Sequence, residues 1–229
     1  NRRLTGNSPM QITGPAAGHA LMKTSTETSG RIAYGTLNNC GNGFTLWGTY
    51  LTCEENFNGY FGANSGTAPA DASLLRYGIS ASGSGYRWHE LDDRFDYELE
   101  PNEANRFGWI VEIDPFDPTS LPRKRTALGR IKHENAAMTL AADGRVVVYM
   151  GDDQANDYVY KFVSAGKYIE GNLANNRNLL DFNDIIKDEK GRMMFAFADG
   201  STGDCPLSLA AAAVFFELEK TMTPSSTGS

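Results

Sequence analysis

Ala142-Asp143-Gly144-Arg145-Val146-Val147-Val148-Tyr149-Met150-Gly151-Asp152 reads as a tight turn, a β-branched strand and an acidic strand end. Asp-Gly sets the turn, and the valine run favours a strand. Tyr158 to Val163 reads as its hairpin partner. A related pattern returns in Asp188-Glu189-Lys190-Gly191-Arg192-Met193-Met194-Phe195-Ala196-Phe197-Ala198-Asp199-Gly200, which places the turn glycines Gly144 and Gly191 47 residues apart. Turn, Gly-Arg, strand and acidic end repeating at that interval match the pattern of β-propeller blades, each built from four strands. The expected fold is all-β, an incomplete β-propeller.

The rest of the chain agrees with that class. Arg31 to Thr36 reads as a short strand, Asn38-Asn39-Cys40-Gly41-Asn42-Gly43 as a turn, and Thr45 to Glu55 as an alternating strand. On that strand Trp47, Thr49, Leu51, Cys53 and Glu55 share one face, with Tyr50, Thr52 and Glu54 on the other. Residues 56–86 are rich in Gly, Ala and Ser and read as a surface loop with one short helix. Phe107 to Asp114 reads as a strand ended by Pro115 and Pro118, with Glu112 and Asp114 on its polar face. Ten acidic residues between Glu90 and Asp117 read mostly as a solvated loop.

Composition narrows the function. Of 229 residues, 41% are hydrophobic and 21% charged, so the chain can fold around a core. Its net charge of −7 argues against a nucleic-acid partner, which requires a basic face. The longest apolar run, Leu209 to Phe216, is too short to span a bilayer. The opening Asn1-Arg2-Arg3 shows no initiator Met and no targeting segment, so a fragment or a mature segment is expected.

Several chemistries lack their residues. The histidines His19, His89 and His133 form no zinc-binding pair, and no nucleophile elbow, P-loop or EF-hand loop appears. Cys40 and Cys205 read as small buried hydrophobes. Cys53 differs, because Glu54 and Glu55 follow it at once, natural company for a thiolate beside a cation. What remains is a set of acidic strand ends: Cys53-Glu54-Glu55, Glu112 with Asp114, Lys132-His133-Glu134 and Gly151-Asp152-Asp153. In a propeller such ends converge around the central channel. Carboxylates suit Ca²⁺ or Fe³⁺, and one thiolate tilts a subsite towards iron. A multi-metal cluster of this kind would clamp a phosphate and neutralise charge in its transition state.

Six blocks together resemble the PhoX family of alkaline phosphatases: Gly14 to His19, Gly35 to Cys40, Trp47 to Phe57, Gly108 to Pro115, Arg130 to Glu134 and Tyr149 to Asp153. The resemblance covers residues 1–180 and fades over 181–229. It implies a six-bladed propeller, export to the periplasm or outside by the twin-arginine route, and hydrolysis of phosphomonoesters to release phosphate. It also implies a cofactor of Fe³⁺ bridged by an oxide with Ca²⁺ beside it, and a nucleophilic oxygen carried by the metals instead of a side chain. By motif position, Cys53, Glu55, Glu134 and Asp153 are the implied metal ligands, with Glu54 and Asp152 as the alternatives one residue away. The family's Arg-Pro-Glu-Trp block, which carries a phosphate-contacting Arg and a metal-binding Glu, has no counterpart in this chain. The alternative is therefore an inactive propeller fragment with residual cation binding or a structural role, relying on the missing remainder of the propeller.

Overall fold

In the computed structural model, residues 3–181 are described, together with two strands further on. The strands are β1 (Pro9–Thr13), β2 (Ile32–Tyr34), β3 (Asn39–Phe44), β4 (Tyr50–Glu54), β5 (Ile110–Ile113), β6 (Arg123–Arg125), β7 (Ala137–Leu140), β8 (Arg145–Gly151), β9 (Val159–Lys167), β10 (Met193–Ala196) and β11 (Thr202–Cys205). Two short helices stand among them, α1 (Ala72–Arg76) and α2 (Leu173–Asn176). A six-stranded sheet runs in the order β2-β1-β6-β5-β4-β3, a three-stranded sheet in the order β7-β8-β9, and β10 pairs with β11. Only β1 and β6 run parallel in these sheets.

Against the expected all-β fold, the described residues form mostly strands with two short α-helices. The expected hairpin is β8 with β9, and its leading turn places Gly144 at φ +86°. Four-stranded blades are not the pattern of these sheets. The stretch read as one strand from Thr45 to Glu55 is instead a turn followed by β4: Thr45 accepts a backbone hydrogen bond from Gly48, and Thr45 and Thr49 pair across the turn. The stretch read as a turn, Asn38 to Gly43, is mostly β3. Its glycines hid the strand because they serve close packing, as shown below.

The two larger sheets are joined by one apolar cluster. Leu51 and Cys53 of β4 and Ile110 of β5 pack with Val146, Val148 and Met150 of β8 and Phe162 of β9. Their positions two apart on β4 and β8 follow from strand alternation. Each fully buried Leu, Val or Phe contributes about 1.5–3 kcal/mol, so this cluster fixes how the sheets meet. A second cluster of Phe57, Phe61, Leu74, Tyr77, Phe95 and Phe107 anchors the long excursion between β4 and β5. Within that excursion Asp96 and Glu103 are buried, so the acidic run is not simply a solvated loop. Glu103 is paired with Arg94 at 2.9 Å and Arg106 at 3.3 Å.

Candidate metal centre

The centre forms where the ends of three segments are tied together by backbone hydrogen bonds. Past the end of β4, the Glu55 amide donates to the Asn38 carbonyl at 3.2 Å, and the His133 amide donates to the Glu54 carbonyl at 3.0 Å. The segment Lys132–Glu134 then meets the end of β8. The Glu134 amide donates to the Gly151 carbonyl at 3.3 Å, the Asp153 amide donates to the Lys132 carbonyl at 3.0 Å, and His133 bridges Asp152. The side chains of Glu55, Glu134 and Asp153 are thus carried on a continuous backbone lattice.

The fourth donor comes from β3. Its register against β4 shifts between Asn39, opposite Glu54, and Asn42, opposite Thr52, so Cys40 and Gly41 both face Cys53. That is a β-bulge, a device that re-aims a side chain. Gly41 and Gly43 then allow β3 to run against the backbone of residues 134–136. A Cβ on Gly41 would lie 1.4 Å from the Glu134 carbonyl oxygen, and one on Gly43 would lie 1.9 Å from that of Ala136. Only glycine admits this approach. In consequence one donor atom from each of Cys40, Glu55 and Glu134 lies within 4.8 Å of the other two.

The electrostatics are those of crowded anions. Burial pushes the Glu55 carboxyl above its ordinary range, and a hydrogen-bond contact with the Asp153 carboxyl pushes it further. The Cys40 thiol is also held above its usual value, first by its hydrogen bond to Glu55, then by burial and by the charges of Glu55 and Glu134. Two carboxylates in such contact cannot both ionise without a proton or a cation between them. Asn56 supports the group by donating from Nδ2 to Glu55 Oε1 at 2.7 Å. Three carboxyls with one thiol, mutually repelling and partly exposed, form a donor set that fits a hard or borderline cation.

Cys53, expected as the thiolate, is fully buried in the apolar cluster, and burial pushes its thiol up to about 12. The thiol brought to the carboxylates is Cys40, which is exposed and is no core hydrophobe. Of the alternatives, Glu54 is committed elsewhere. Its Oε1 accepts from Lys124 Nζ at 2.8 Å and its Oε2 accepts from the Gly108 and Trp109 amides at 3.0 and 3.1 Å. Asp152 is likewise structural, with Oδ1 accepting from the Lys132 amide at 3.1 Å. Glu112 and Asp114 lie outside the cluster, because Arg125 pairs with Glu112 and Arg177 with Asp114. Burial opposes ionisation of Glu112, yet the Arg125 charge and the bonds from Thr49 and Trp47 outweigh it, and its carboxyl sits below the ordinary range. The Cys205 side chain lies outside the described residues.

A sequence model of the family described as alkaline phosphatase PhoX matches residues 1–183. The chain belongs to the PhoX family. Comparison with curated proteins gives no match. Among solved structures, the chain is similar to Pseudomonas fluorescens PhoX in complex with vanadate, a transition state analogue. The TM-score is 0.84 at 45% identity, over 96% of this chain and 40% of that one. The chain thus spans 40% of the length of that PhoX protein.

Within this PhoX-family chain, the missed donor had a sequence signal. Cys40-Gly41-Asn42-Gly43 sets two glycines at strand spacing directly after a cysteine, a pattern for close backbone approach beside a side chain that must be aimed.

Proposed function

We propose that this chain carries part of the metal centre of an alkaline phosphatase that hydrolyses phosphomonoesters and releases inorganic phosphate. The observation that carries the reading is the convergence of Cys40, Glu55 and Glu134, with Asp153 against Glu55, from four separate segments. Membership of the PhoX family supplies the reaction class. The cations are proposed as Fe³⁺ and Ca²⁺: the thiol suits iron, and the surrounding carboxylates suit either ion. When bound, they would supply positive charge to hold a phosphate and to offset the charge that develops during its transfer.

The chain's own groups do the rest. Glu55, Glu134 and Asp153 offer carboxylate oxygens, and Asn56 Nδ2 fixes the orientation of Glu55. Cys40 must lose its proton to act as a ligand; its contact with the Glu55 carboxyl holds that proton on sulfur, and the charge of a bound cation would favour the thiolate. Gly41 and Gly43 hold Cys40 against Glu134 by backbone packing, so these two donors are set before any cation arrives.

We further propose that residues 1–229 form one partial propeller unit and that the protein is exported to the periplasm or beyond. No helix among the described residues is long and apolar enough to cross a membrane. A second reading is cation binding without turnover, which the grouping of Cys40, Glu55 and Glu134 supports by itself.

Co²⁺ titration tests the centre, because a thiolate ligand gives a charge-transfer band in the near ultraviolet. The band is expected in the chain and in Cys53→Ala, and is expected to vanish in Cys40→Ser. A band that survives Cys40→Ser and disappears in Cys53→Ala overturns the assignment. Hydrolysis of p-nitrophenyl phosphate by the metal-loaded protein, lost in Glu134→Gln, tests the activity. A cation-loaded protein with no turnover leaves the second reading standing.

A further inference from the structure

Asp153 is exposed, and it is pressed against Glu55, a group of like charge, in the turn after β8. Something must hold that tip inward. The β8–β9 turn carries three aspartates, Asp152, Asp153 and Asp157, and closes through the Asp152 amide donating to the Tyr158 carbonyl at 3.3 Å. Repulsion within the turn and from Glu55 favours opening it.

Arg76, at the C-terminal end of α1, reaches this turn from the excursion between β4 and β5. Its Nη2 lies 2.6 Å from Asp157 Oδ2 and 3.6 Å from Asp152 Oδ2. The Asp152 side chain is 1% exposed, so that pairing is shielded from solvent on its aspartate side. The helix that presents Arg76 is itself well anchored. Asp71 caps it by accepting from the Ser73 and Leu74 amides at 2.8 and 3.2 Å. Leu74 is buried in the aromatic cluster, and the Tyr77 hydroxyl donates to the Arg130 carbonyl at 2.8 Å.

We propose that Arg76 is a positioning residue for the cation cluster, acting through Asp152 and Asp157 on the turn that carries Asp153. The path is short. Arg76 clamps Asp157 and Asp152; Asp152 Oδ1 accepts from the Lys132 amide at 3.1 Å; and the Asp153 amide donates to the Lys132 carbonyl at 3.0 Å. Two bonds in opposite directions between Lys132 and the Asp152–Asp153 pair lock the turn to the segment that ends in Glu134. Arg76 offsets the negative charge that would otherwise lift this lock. It also explains why the excursion after β4 has a bearing on the centre: its helix supplies the counter-charge that the β8–β9 turn lacks.

This inference rests on the metal-centre reading above. Co²⁺ affinity is measured on the full chain from the thiolate band, alongside Tm in EDTA. Arg76→Ala is expected to weaken Co²⁺ several-fold, less than the roughly 10- to 100-fold loss for a group bonded directly to a metal ligand, without moving the band. Arg76→Lys is expected to recover most of that loss by restoring the charge. Asp157→Asn, which removes the nearer anchor and keeps the shape, is expected to weaken binding less than Arg76→Ala. A role in stability alone would lower Tm in EDTA and leave the affinity unchanged; that result overturns the inference. Should Arg76→Ala fail to fold, an unchanged affinity in Asp157→Asn overturns it equally. Wild-type chain that shows no thiolate band overturns the metal-centre reading itself, a distinct outcome.

Discussion

Lys124 Nζ donates to Glu54 Oε1 across 2.8 Å, and neither side chain reaches solvent. The ammonium also donates to the Arg106 carbonyl at 2.7 Å and lies 3.9 Å from the centre of the Phe107 ring. Burial lowers the Lys124 pKa, and the adjoining Glu54 charge works to keep it protonated. Glu54 and Glu55 are thus neighbours in sequence with opposite duties, one closing a buried pair and the other facing Cys40.

That division predicts separable effects. Lys124→Met leaves the Glu54 carboxylate buried and unpaired, and is expected to cost about 3–5 kcal/mol in urea unfolding. Glu55→Gln is expected to carry no such cost and to abolish the thiolate band. If Lys124→Met is silent, the buried pair does not hold the sheet as described.

The two thiols should differ in reactivity. In EDTA, iodoacetamide is expected to modify Cys40 and to spare Cys53, whose thiol is buried and pushed up to about 12. Bound Co²⁺ should protect Cys40. Peptide mass mapping reads each site separately, and labelling of Cys53 ahead of Cys40 in native chain contradicts their placement.

Crowded carboxyls predict a cation-dependent stability of a particular sign. A cation at a hundred times its Kd should add about 2.7 kcal/mol to the unfolding free energy, and EDTA should remove it. Glu55→Gln relieves the repulsion with Asp153, so its Tm in EDTA should rise above that of wild type, while the gain on adding cation should shrink. A fall in Tm under both conditions would show that repulsion is not the governing term.

The glycine approach is open to a one-methyl test. Gly41→Ala places a Cβ 1.4 Å from the Glu134 carbonyl oxygen, and is expected to cost about 1–3 kcal/mol and to weaken Co²⁺ binding. Gly151→Ala, where the added Cβ meets nothing within 4 Å, serves as the comparison and should change neither by as much. Equal effects at both positions would count against close packing as the role of Gly41.

The sequence by itself determined the class and the family. Alternation and valine runs marked β8 and β9, an Asp-Gly pair marked their leading turn, and six ordered blocks marked PhoX, because such signals are local. Through the family resemblance it also offered Glu55, Glu134 and Asp153 as proposed ligands. Tertiary structure decided which thiol joins them. Periodicity put Cys53 on the face of Glu55, and that face is the one the second sheet covers, so Cys53 became core. Cys40 looked like part of a turn, because the glycines that let its strand touch residues 134–136 are also turn formers. The contact that gives them meaning lies more than ninety residues away in sequence. The same holds for Glu54 and Asp152, whose partners Lys124 and Arg76 come from distant segments. A carboxylate's role as ligand or as structural ion depends on which charge packs beside it, and only the packed fold brings that charge.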